Sequence, residues 1–179
     1  DETLRGDMVD VLVEASYFFG GPAAGLPVEW SVSSTGYRLP WEGPYYSFSD
    51  SSNFYSQWSG APFALDGGFS GENVLNGQGV TDADGRLLIT LPANLLDEVD
   101  PGSQRVEVEA NVLDISNFPV LARSEIIFHD GEIYAGVVPS LYFGRADAAS
   151  DVEVITVDWQ GQAAPNRQVE LTFYERQWT

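Results

Sequence analysis

One segment of this chain occurs twice. VLVEASYFFGGPAAGLPVEWSV, from Val11 to Val32, lies over VEVITVDWQGQAAPNRQVELTF, from Val152 to Phe173, at a constant offset of 141 residues. Val11, Val13, Gly20, Ala23, Val28 and Glu29 face Val152, Val154, Gly161, Ala164, Val169 and Glu170 without a gap. Each copy reads as a strand, a Gly/Pro or Gly/Pro/Asn turn, and a second strand. A period this long points to repeated domains, because solenoid turns recur every 20 to 50 residues or so (roughly). The first copy is followed by enough chain to complete a domain and the second is not. The expectation is one whole β module and the front of another, a piece of a longer array.

The rest of the pattern agrees with an all-β reading. Met8 to Tyr17 alternates around Val9, Val11 and Val13; Val28 to Val32 alternates around Trp30; Leu87 to Leu91 and Val106 to Val112 do the same. Period-2 alternation between Gly/Pro/Asn/Asp clusters implies an antiparallel immunoglobulin- or fibronectin-like β-sandwich, followed by a partial second sandwich. The one helix-like stretch is PANLLDEV, Pro92 to Val99, where Pro92 suits a first turn and Gly102 an exit; at that length it is a connector of a turn or two. Residues 1–6 read as a flexible N-terminus, residues 7–128 as the complete sandwich ending on SEIIF, and residues 129–179 as the truncated second module. A half sandwich leaves strand edges and one sheet face open, so it is expected to lean on the first module or on another copy.

Charge narrows the partners. The formal charge is −19, from 27 acidic against 8 basic side chains, and all eight basic residues are arginine. Such a surface repels phosphate backbones and anionic headgroups, which argues against nucleic acid and against membrane insertion by these residues. Without lysine there is no Schiff base, Ser-Lys dyad or Lys-Asn isopeptide crosslink. Without cysteine there is no disulfide, thiolate nucleophile or cysteine zinc site. No apolar run reaches the length of about 20 residues that a helical membrane span needs.

Four places carry residues that chemistry could use. From Tyr37 to Phe63 the chain holds Tyr37, Trp41, Tyr45, Tyr46, Phe48, Phe54, Tyr55 and Trp58 among serines, glycines and prolines. This stretch reads as a loop packed on itself at one end of the sandwich, with Tyr37, Trp41, Tyr45, Tyr46, Tyr55 and Trp58 as the candidates for ligand or domain contact, since such rings also stack on sugars. TDADGR, Thr81 to Arg86, contains a fragment of a calcium-loop pattern, but it lacks the third oxygen ligand and the later Glu, and Asp-Gly before a strand is first a turn signal. Asp97, Glu98 and Asp100 lie beside Pro101 and Gly102 on a polar connector and read as a solvated face. His129 is the single histidine, and no Gly-x-Ser-x-Gly elbow accompanies it. The reading is non-enzymatic, with no catalytic residues, no cofactor and no metal.

Three segments together resemble the macroglobulin-type domains of bacterial alpha-2-macroglobulin homologues, large surface or periplasmic proteins built as strings of such sandwiches. They are ASYFFGGPAAGLPVEWSV, like that family's opening hairpin; TDADGRLLITLP, like its Asp-Gly turn, strand and Leu-Pro centre; and DWQGQAAPNRQVELTFYERQW, like the start of the next domain. The resemblance implies an exported, extracellular, cell-surface or periplasmic protease inhibitor, in which cleavage of a bait segment rearranges the assembly to entrap the protease, often with capture by a thioester. A thioester needs a cysteine, which this chain does not have, so no functional residue of the family carries over. Implied partners are the neighbouring macroglobulin-type domains of the parent, and target proteases through the intact parent. The alternative is an adhesin-like or carbohydrate-binding sandwich using the aromatic loop 37–63.

Overall fold

A computed structural model describes residues 1–43, 46–48, 71–114, 118–141 and 148–173. The chain divides into two compact units, Asp1–Tyr37 with Asp50–Gly131, and Arg38–Ser49 with Glu132–Thr179. Arg38–Ser49, inside the aromatic loop of the sequence, thus groups with the second unit.

The first unit is an all-β sandwich of seven strands among the described residues: β1 (Glu2–Leu4), β2 (Val9–Glu14), β3 (Pro27–Gly36), β4 (Glu72–Val80), β5 (Arg86–Leu91), β6 (Gln104–Leu113) and β7 (Pro119–His129). One sheet runs β1-β7-β6-β3-β4 and the other β2-β5. Every ladder is antiparallel except that of β1, which runs parallel to β7 with Leu4 opposite His129. Strict alternation along β6 buries Gln104, Val106, Val108, Ala110 and Val112 and leaves the intervening residues partly exposed. These meet Val28 and Val32 of β3, Ile126 and Phe128 of β7, and Val13, Ile89 and Leu91 from the second sheet in one core. Phe128, Leu91, Val28, Val32 and Val106 are fully enclosed, so truncating any of them leaves a cavity and costs about 2 to 5 kcal/mol.

β4 carries glycine where a core strand would carry side chains, and the reason lies opposite. A Cβ on Gly77 would collide with the Trp30 indole, and one on Gly79 would stand 2.8 Å from Leu87 of the other sheet. The two glycines make room for these larger neighbours.

Pro92 to Val99 forms a short connector of turns. It makes successive i→i+3 turns, with Leu95 N–H donating to Pro92, Asp97 to Asn94 and Val99 to Leu96. The reason is packing: Leu96 is 2% exposed and plugs the sandwich end, with Leu95 and Val99 against the same core. One side chain gathers four carbonyls at the end of this connector. The Arg5 guanidinium donates to the carbonyls of Leu96, Val99 (2.9 Å), Asp100 (3.1 Å) and Gly102 (3.0 Å).

In the second unit β8 (Tyr134–Pro139) pairs antiparallel with β9 (Val152–Val157), and Ser47 exchanges two backbone hydrogen bonds with Val137 on the other edge of β8. The second copy of the repeat forms its strand and turn here, but Val169 to Phe173 joins no ladder among the described residues. In the first copy the corresponding strand, β3, is held by β4 and β6. Val169, Leu171 and Phe173 accordingly remain exposed. Among the described residues no helix is long and apolar enough to cross a membrane.

Candidate functional site

The Thr81–Arg86 turn is the best-formed local motif, and its polar groups are directed at the protein itself. Asp82 Oδ1 accepts from the amides of Asp84 and Arg86, both at 2.9 Å. Gly85 N–H donates to the Asp82 carbonyl at 3.0 Å, with Gly85 at φ 76°. Thr81 is 3% exposed; its hydroxyl donates to the Ala23 carbonyl at 2.6 Å and accepts the Leu26 amide at 2.9 Å. A carboxylate occupied by two amides of its own turn serves as a brace, and the Thr hydroxyl pins the first hairpin to the end of β4. Among the described residues no group of three or more His, Cys, Asp or Glu could hold a metal ion.

The second copy of the repeat reproduces three turn bonds of the first hairpin. Tyr17 N–H to Gly21, Gly20 N–H to Tyr17 and Ala23 N–H to Ala15 recur at the 141-residue offset as Asp158 to Gln162, Gly161 to Asp158 and Ala164 to Thr156. The bridge Ser16↔Pro22 recurs as Val157↔Ala163. Gly20 and Gly25, at φ 91° and 71°, recur as Gly161 and Asn166 at 75° and 62°. Asparagine tolerates the left-handed conformation better than other side chains do, which is how the second copy dispenses with glycine there. Asp158 also braces its turn as Asp82 does, accepting from Gln160 at 3.0 Å and Gln162 at 2.8 Å. Sequence reading passed over this brace, although the shared Asp-x-x-Gly spacing signals it.

The aromatic candidates fall into different units. Tyr37 belongs to the first, where its ring meets the edge of His129 at 5.7 Å and Arg105 lies over it at 5.9 Å. Burial, then the Glu2 carboxylate, raises the Tyr37 hydroxyl pKa. Trp41, Tyr46 and Phe48 belong to the second unit, with centroids 5.2 to 6.5 Å apart. Phe48 and Tyr46 cover β8 at Gly136, where a Cβ would stand 2.6 Å from Phe48. The Tyr46 hydroxyl is hydrogen-bonded to the Glu153 carboxylate, which raises its pKa. Tyr45, Tyr55 and Trp58 lie outside the described residues.

The acidic connector shows Asp97, Glu98 and Asp100 exposed, with the Asp100 carbonyl taken by Arg5 and by Gln104 Nε2. His129 is fully buried at the end of β7, its Nε2 3.9 Å from Glu2, and burial lowers its pKa below the usual 6.5. The outward face of the large sheet is polar and acidic, with Arg123 bridging Glu107 at 3.8 Å and Glu109 at 2.7 Å. Thr3 and Thr90 donate their hydroxyls to the carboxylates of Asp7 and Asp10, at 2.7 and 2.6 Å, both at the exposed surface. What the two units do present is strand edges and repeated, self-braced turns.

No protein-family model matches the sequence, and no curated protein matches it. Solved structures do. The native conformation of the Escherichia coli alpha-2-macroglobulin matches with a TM-score of 0.60 at 18% identity over 90% of this chain and 10% of that one. The trypsin-activated form from E. coli matches at 0.60 and 19% over 89% of this chain and 11% of that one. The Salmonella alpha-2-macroglobulin reacted with methylamine matches at 0.60 and 17%, over 90% and 11%. The chain therefore shares its fold with part of these proteins and spans about a tenth of their length.

Proposed function

We propose that the chain is a non-catalytic scaffold segment of a bacterial, exported alpha-2-macroglobulin-like protease-trapping protein. Residues 7–128 form one macroglobulin-type module in this reading, and residues 129–179 open a second. The observation that carries it is the likeness over about 90% of this chain to solved alpha-2-macroglobulins of which it spans a tenth. The repeated hairpin adds support, since tandem modules are what such a string of domains requires. Its work is geometric: rigid, self-braced sandwiches hold their neighbours in register, so that cleavage elsewhere in the parent becomes movement. Target proteases are met by the parent, and the capture chemistry belongs to other residues.

The aromatic trio supports packing more than sugar recognition, because its rings pack edge-on or tilted against one another, Phe48 and Tyr46 lie on Gly136, and the Tyr46 hydroxyl is occupied. An antiserum against the chain is expected to detect, in the exported fraction of the producing bacterium, a polypeptide several times longer than 179 residues that is shortened when trypsin is added. A product of the chain's own length, or saturable glycan binding that is lost in Trp41→Ala, overturns the reading.

A further inference from the structure

The two copies of the hairpin are paired on opposite edges, and each shows what the other is missing. In an antiparallel strand, alternate residues direct their backbone groups to opposite sides. The Ala15 N–H donates to Gly85 at 2.8 Å, so the odd-numbered residues of β2 face β5, and Asp10, Leu12 and Glu14 direct their amides and carbonyls to the other edge. That edge has no partner among the described residues. In the second copy the bond from Ser140 N–H to Asp151 O, 2.9 Å, places β8 on the edge served by Asp151, Glu153 and Ile155, which are the counterparts of Asp10, Leu12 and Glu14.

We infer that the open edge of β2 is a strand-acceptor site, and that its occupant is an extended segment with the pattern of β8. Carried across the offset, the β8–β9 register sets the docking: the residue like Val137 lies opposite Val13, the one like Ala135 opposite Ala15 and the one like Pro139 opposite Val11. These three face the core and must be small or aliphatic; the residues like Gly136 and Val138, opposite Glu14 and Leu12, face outward. Packing in the first unit fits a vacancy of this kind. Val9 and Val11 pack on the core yet are only partly buried, and Met8 and Leu12 are 72% and 51% exposed. An added strand supplies backbone hydrogen bonds along its length and apolar cover for these side chains, as in β-strand addition generally. This inference stands on the repeat and does not depend on the protease-trapping reading.

The test is a titration of the isotope-labelled full chain with the synthetic peptide EIYAGVVPS, the sequence of Glu132 to Ser140. Saturable binding is expected to slow amide exchange at Asp10, Leu12 and Glu14 by about tenfold or more. Peptides N-methylated at the Gly136 and Val138 positions should lose binding, and those N-methylated at the Ala135 and Val137 positions should keep it. In a second form, residues 132–141 grafted directly ahead of Asp1 reproduce the chain spacing of the second copy and should raise Tm, whereas the same graft with Val137→Asp should not. The inference is overturned if neither peptide nor graft protects the three amides, if the N-methyl pattern makes no difference, or if protection appears at β9 and not at β2.

Discussion

Trp30 lies across Gly77, its direct partner in the β3–β4 ladder, so closely that a Cβ at Gly77 would stand 2.3 Å from Cζ2 of the indole. Gly77→Ala therefore displaces the ring from the core that it partly covers, at a cost of about 1 to 3 kcal/mol. Urea unfolding should show a lower midpoint, and Gly77→Ala should cost less in a Trp30→Phe background, where the offending ring atoms are gone. Additive losses would show that the two positions do not collide.

Thr81→Val keeps the shape of the side chain and removes the hydroxyl that joins Ala23 to Leu26. Two buried backbone groups lose their partner, and each unsatisfied group costs about 1 to 3 kcal/mol. Thr81→Ser, which retains the oxygen, should unfold closer to the parent midpoint. Equal midpoints for the two variants would show the bonds to be unimportant.

Gly85 and Gly161 each close an aspartate-braced turn, at φ 76° and 75°, but their surroundings differ. A Cβ on Gly85 meets the Ala15 carbonyl at 2.4 Å and the Ala23 amide at 2.9 Å, whereas one on Gly161 meets nothing closer than the Trp41 ring at 3.8 Å. Gly161→Ala should cost the conformational strain alone, about 1 kcal/mol. Gly85→Ala should cost more and expose the Ala15 amide to exchange, read by hydrogen exchange of the labelled protein.

Burial depresses the pKa of His129, with Glu2 opposing to a smaller degree. The unfolded chain thus takes up a proton at a pH where the folded one resists it, and stability falls as pH drops through the unfolded value near 6.5 toward the lower folded one. Between pH 7.5 and 5.5, roughly the window of an ordinary histidine, Tm should decline in the parent and decline less in His129→Gln. An equal decline in both would assign the effect to other groups.

Much of the sandwich was legible because its strands obey one simple rule. Alternation around Val11 and Val13, around Trp30, from Leu87 to Leu91 and from Val106 to Val112 becomes β2, β3, β5 and β6. β4 escaped because its Gly77 and Gly79 suppress the apolar signal; the demand for them comes from Trp30 and Leu87, which are distant in sequence. β1 escaped because three residues carry no period, and its pairing depends on β7 more than a hundred positions away. PANLLDEV was legible as a connector of a turn or two because it is too short for more, but the burial of Leu96 could not be read from composition. At the candidate site, the Asp-Gly turn was visible but its brace was not, because what a carboxylate binds is fixed by folding. The ligand role of the aromatic residues could not be read from type alone: Tyr37 shares a unit with His129, and Trp41 and Tyr46 share one with Gly136.

The parallel seam between β1 and β7 has a mechanical side. Ile127 N–H donates to Asp1 and Arg5 N–H donates to His129, at 2.9 and 2.8 Å, so the seam closes where the chain leaves the first unit. Tension applied before Asp1 and after His129 pulls two parallel strands along each other in opposite directions. The seam is then loaded in shear, its bonds strained together instead of unzipping one by one, and the Arg5 fork anchors the end where slippage would start. A domain fastened in this way transmits a pull along a chain before it yields to one.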